Sequence, residues 1–97
     1  LTSSKFQIKF SERARKQFKK LDVQTRNRIA LAIKLLAINP FPPKAKRVVG
    51  FDYWRIRIGD YRVVYEIIDQ ELVILVVRIG HRKNVYDQLK NLKSKES

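Results

Sequence analysis

Cysteine is absent from this sequence, which excludes disulfides and thiol catalysis. Histidine occurs once, so the usual ligands of a zinc site are missing as well. No metal or other cofactor is expected. No apolar run reaches membrane-spanning length, and no signal-peptide pattern opens the chain. A membrane is therefore the weakest candidate partner, and the chain is read as cytoplasmic. No linker and no internal repeat divides the sequence. Residues 1–97 are read as one domain with a single core, too small for a deep active-site cavern. Acidic residues are scarce too: 9 Asp and Glu stand against 22 Lys and Arg, a net charge of +13. Such an excess points to a polyanion or an acidic partner.

What is present is organised around the stretch Tyr-Trp-Arg-Ile-Arg-Ile-Gly-Asp-Tyr-Arg-Val-Val-Tyr, from Tyr53 to Tyr65. Two alternating, β-prone runs flank Gly59-Asp60, which suits the two-residue type II′ turn of a hairpin. That turn sets Ile58 opposite Tyr61, Arg57 opposite Arg62, Ile56 opposite Val63, Arg55 opposite Val64 and Trp54 opposite Tyr65. Opposed residues point to the same side. Trp54, Ile56, Ile58, Tyr61, Val63 and Tyr65 then make a core face. Arg55, Arg57 and Arg62 share the other, with Tyr53 and Glu66 beyond them. Like charges set directly opposite each other cost stability, and a polyanionic ligand would offset that cost. The alternative is a solvated face covered by long basic side chains.

The rest of the chain has readable punctuation. Lys5 to Phe10 alternates as a short strand. Ser11 suits an N-cap, with Glu12 at the positive helix end and Ala14, Phe18 and Leu21 at helical spacing. Asp22 suits a second N-cap, followed by the apolar stripe Val23, Ile29, Ala30, Ile33, Leu36 and Ala37. Pro40 ends that helix. Pro42 and Pro43 then lead to Lys44, Lys46 and Arg47, which predicts an irregular loop with a basic tip. Asp69-Gln70-Glu71 makes a turn into the apolar strand Leu72 to Ile79. A three-residue turn pairs Ile68 with Leu72 and Arg62 with Arg78, which adds Arg78 to the arginine face. A two-residue turn would send Arg78 into the core, at the cost of burying an unpaired cation. Val85, Leu89 and Leu92 predict a short C-terminal helix. The order β-α-α-β-β-β-α gives an α+β fold, a mostly antiparallel sheet with an N-terminal helical hairpin.

Chain order brings Arg55, Arg57 and Arg62 toward His81, Arg82 and Tyr86 at the end of the last strand. The expected result is one concave, basic, aromatic-rimmed surface. Its chemistry fits RNA: guanidinium forks for phosphates, a ring for an unstacked base, a histidine for a proton. Each residue also has a structural reading. His81 can be a structural histidine, Tyr86 a core ring, Arg82 a cap and Glu66 a neutralising partner for an arginine.

The hairpin, the following apolar strand and Arg-Ile-Gly-His-Arg-Lys-Asn-Val-Tyr (Arg78 to Tyr86) together resemble the RelE/ParE superfamily of toxin–antitoxin toxins. The resemblance spans nearly the whole chain. It implies a ribosome-dependent endoribonuclease that cleaves messenger RNA without a metal, and a RelB-like antitoxin as partner. On that pattern Arg62 and Arg82 match phosphate-stabilising arginines, and Tyr86 matches a tyrosine near the C-terminal helix. Arg55 and Arg57 fall where the best-known RelE branch has lysines. Lysine can give up a proton and arginine effectively cannot, so His81 is the available replacement as general acid. Arg78, Lys44, Lys46 and Arg47 would add RNA-binding charge. The same resemblance implies an alternative, a ParE-like inhibitor of DNA gyrase. A third class is a non-catalytic RNA-binding or partner-binding module.

Overall fold

Two capped helices and five strands make up the described part of the chain. In this computed structural model the described residues are 5–82 and Val85. Helix α1 runs Glu12–Lys19 and helix α2 runs Val23–Leu36. Each starts where its cap predicts. The Ser11 hydroxyl accepts from the Ala14 amide at 3.0 Å, and Asp22 accepts from the Thr25 amide at 3.2 Å. The bond with Thr25 holds the Asp22 carboxyl below the usual carboxylate range. Among the described residues no helix is long and apolar enough to cross a membrane.

Strands β1 (Gln7–Phe10), β2 (Lys46–Arg47), β3 (Trp54–Ile58), β4 (Tyr61–Ile68) and β5 (Val73–His81) form one sheet in the order β1-β5-β4-β3-β2. Only the β1–β5 pair is parallel. The β3–β4 hairpin has the expected register, from Ile58 opposite Tyr61 to Trp54 opposite Tyr65. Gly59 takes φ +60° and Asp60 does not take a positive φ, as a type II′ turn requires.

Two expectations need correction. The segment after the prolines is not wholly irregular. Lys46 pairs with Arg55 and Arg47 with Trp54, which makes the short edge strand β2. The β4–β5 register also differs. Ile68 faces Val73, Arg62 faces Gly80, and Arg78 faces Val64 rather than Arg62. The turn has four residues: a 3₁₀ turn at Asp69–Glu71, then Leu72 in the left-handed region at φ 55°. Four residues alone would set Arg78 opposite Val63, on the core face. A register shift at Val64/Tyr65 leaves Val77 as an extra residue and restores Arg78 to the arginine side.

Both sheet faces are covered in part. The helices pack Ala14, Ile29, Ile33 and Leu36 against Ile56, Val63, Tyr65, Val76 and Ile79. Burying each such large side chain contributes roughly 1.5–3 kcal/mol. On the opposite face Val48, Val64, Val77 and Val85 form a smaller buried cluster. The predicted C-terminal helix otherwise lies outside the described residues. Helix α1 covers the edge of β5 beyond the end of β1. Ser11 donates its amide to the Val76 carbonyl and its hydroxyl to the Val77 carbonyl, while Gln17 accepts from the Ile79 amide at 2.8 Å. Those groups would otherwise be an unpaired strand edge. The buried Tyr65 hydroxyl donates to the Pro40 carbonyl at 2.8 Å and ties the proline segment to the sheet.

Candidate nucleic-acid interface

Strand parity decides which cations share the face opposite the helices. One row crosses four strands: Lys46 on β2, Arg55 on β3, Val64 on β4 and Arg78 on β5. The next row is Arg57, Arg62 and Gly80. Between them and the proline segment lies an open groove of about 500 Å³, lined by Lys44, Lys46, Arg55, Arg57, Gly59 and Arg62. Five of those six residues are cations and none is a carboxylate.

The two arginines nearest the turn are braced by their own hairpin. Arg57 Nε donates to the Gly59 carbonyl at 3.3 Å, and Arg62 Nη1 donates to the Tyr61 carbonyl at 3.2 Å. A guanidinium carries five N–H donors, so each retains most of its donors for a ligand. Arg82 stands at the same end, exposed, with its amide bonded to the Asp60 carbonyl at 2.9 Å. Arg28 of α2 also reaches this turn: a Cβ built on Gly59 would stand 3.6 Å from its Nη1. No sequence spacing links Arg28 to the hairpin, so only the fold reveals it.

Arg78 lies on the correct face but outside the groove lining. Its Nη1 donates to the Val77 carbonyl at 2.8 Å, and its buried Nε has no hydrogen-bond partner among the described residues. Desolvation, reinforced by the charge of Arg13, lowers its pKa from the ordinary arginine value. Arg47 does not join the groove. It lies over the Trp54 ring at 5.3 Å and pairs with Asp52 at 3.5 Å, because β2 turns alternate residues to opposite faces.

His81 is likewise separated from the arginines. It pairs with Tyr61, whose side chain faces the helices, and the two rings meet edge-on with centroids 6.0 Å apart. Arg62, one residue along β4, points to the other side. The expected convergence of His81 with Arg62 is therefore not found. Tyr53 stacks on Phe51, at 5.5 Å between centroids and 11° between planes. Tyr86 lies outside the described residues.

The groove can therefore grip phosphates through several cationic donors, of which the arginines stay charged at every accessible pH and Arg57 and Arg62 are braced. Residues 8–86 match the family described as the ParE toxin of the type II toxin–antitoxin system parDE. The chain is 36% identical over 81 residues to an Escherichia coli protein named as RelE-like toxin, covering 81% of this chain and 85% of that one. It is 32% identical over 80 residues to the mRNA interferase toxin RelE of Escherichia coli K12, covering 78% and 82%. The fold superposes on one chain of the crystal structure of the intact Escherichia coli RelBE toxin–antitoxin complex with a TM-score of 0.71 at 27% identity, covering 78% of this chain and 95% of that one.

Proposed function

The chain belongs to the RelE/ParE superfamily of type II toxins, and from that membership we propose that it cleaves messenger RNA on the ribosome. The observation that carries the reading is the groove whose lining, among the described residues, is Lys44, Lys46, Arg55, Arg57 and Arg62 with no carboxylate. Its shape is open, so it holds a strand and does not enclose a small substrate. A relative named mRNA interferase supports the same reading.

In the proposed reaction a 2′-hydroxyl attacks the adjacent phosphorus. The bond to the 5′-oxygen breaks, leaving a cyclic phosphate and a 5′-hydroxyl. Arg62 and Arg82 stabilise the charge that builds on the phosphoryl oxygens. Arg55, Arg57 and Lys44 hold the backbone. Tyr86 orients or stacks on a base. The ribosome supplies the rigid substrate geometry that a shallow groove cannot supply alone. An acidic, RelB-like antitoxin restrains the toxin by neutralising this face. The toxin–antitoxin complexes among the similar structures support such a partner.

One finding favours a second reading. The matching family is described as ParE toxin, and inhibition of DNA gyrase is the alternative it raises. A single purified preparation separates the two. Added to programmed ribosomes, the chain should produce new messenger-RNA 5′ ends bearing hydroxyl groups. Added to gyrase, it should leave supercoiling unchanged. Intact messenger RNA together with blocked supercoiling would replace the first reading with the second.

A further inference from the structure

A 5′-oxygen expelled from phosphorus needs a proton as its bond breaks. The arginines of the groove cannot supply one, because a guanidinium does not deprotonate in proteins. His81 stands against Tyr61 on the other side of the sheet. We infer that Lys46 is the general acid of the cleavage proposed above, an inference that rests on that reading.

Lys46 is on the arginine face and in the groove lining. Lys46 pairs with Arg55, so the two side chains share the arginine face. Its neighbour Arg47 is turned the other way by Trp54 and Asp52, which fixes the parity of β2 independently. Lys46 also lines the groove together with Arg57 and Arg62. Strand spacing and rise put the backbones of Lys46 and Arg62 about 12 Å apart, diagonally across β3. Two long side chains approaching from those points can close on a single phosphodiester. Among the described residues Lys46 makes no ion pair, so its ammonium is available. Lys44 lines the groove as well, but it lies outside β2 and no ladder pairing fixes its direction.

The 2′-oxygen bonds to phosphorus while its proton passes to water. The P–O5′ bond breaks and its electron pair leaves on the 5′-oxygen. That oxygen takes a proton from Lys46 Nζ, and solvent later reprotonates the neutral amine. Lys46 is thus consumed in no net sense.

The test is single-turnover cleavage on programmed ribosomes at saturating protein, with circular dichroism as the control for folding. Lys46→Ala and Lys46→Arg should each slow cleavage on the order of 10²- to 10⁴-fold, because arginine keeps the charge but not the transferable proton. A second messenger RNA carries sulfur in place of the bridging 5′-oxygen at the scissile bond. A thiolate leaves without protonation, so on this substrate both variants should cleave nearly as fast as the wild type. Full activity of Lys46→Arg on ordinary RNA would overturn the inference, since charge alone would then suffice. An undiminished defect on the sulfur substrate would also overturn it, and would make Lys46 a positioning residue. A wild type that cuts neither substrate would overturn the ribonuclease reading itself, and this inference with it.

Discussion

Salt should loosen RNA from the groove in proportion to the phosphates that its cations neutralise. Among the described residues five cations line it, and no carboxylate does. At one phosphate each, counterion release from a single strand gives a slope of log affinity against log salt of about −3.5. Raising salt from roughly 50 to 200 mM should then weaken binding about 100-fold. Arg62→Ala removes one groove cation and should make the slope shallower by about 0.7. Arg47→Ala is the control. Arg47 lies on the opposite face and is already paired with Asp52, so its loss should leave the slope unchanged. The assay is fluorescence anisotropy of a labelled single-stranded RNA titrated at several potassium chloride concentrations. A slope near zero would refute phosphate binding by the groove. Equal flattening by Arg47→Ala and Arg62→Ala would mean that the net charge of +13 acts diffusely and that the groove has no special part.

Two further outcomes follow from the scaffold. Tyr65→Phe removes the donor to the buried Pro40 carbonyl and should cost about 1–2 kcal/mol in urea unfolding, with no loss refuting that bond. Burial pushes the Tyr65 phenol up to about 12 from 10.0, so the folded chain keeps a proton that the unfolded chain loses. The resulting stability is fully present below pH 10 and is lost between pH 10 and about 12, a limb that Tyr65→Phe should lack. Gly59→Ala places a Cβ at φ +60° and should cost roughly 1–2 kcal/mol. Wild-type stability in that variant would show that the turn can relax without strain.

The hairpin was readable because a two-residue turn leaves one register, and Gly59 marks that turn. The helix starts were readable because Ser11 and Asp22 satisfy amides only three residues away. Arg78 shows where sequence reasoning stops. Its face was anticipated correctly, but through a register that the chain does not use. A four-residue turn and an extra residue at Val77 offset each other in parity, and nothing in a uniformly apolar run marks either one. Strand β2 has two residues, and its partner strand decides its pairing more than its own pattern does. Following chain direction alone put His81 beside Arg62, because both stand at one end of the sheet. Alternation across the strand puts them on opposite faces. In the candidate site, the charge was visible in composition, but which cations share a face depended on pairings distant in sequence.

The most direct test of the central claim is the rate of messenger-RNA cleavage by Arg62→Ala on programmed ribosomes, measured in single turnover at saturating protein. Arg62 is braced by the Tyr61 carbonyl and belongs to neither buried cluster, so circular dichroism should show the fold intact. A preorganised charge aimed at the phosphoryl transition state is worth about 3 kcal/mol, which predicts a 10²- to 10³-fold loss of rate even at saturation. Cleavage at the wild-type rate once the ribosomes are saturated would contradict the account, because Arg62 would then only bind RNA.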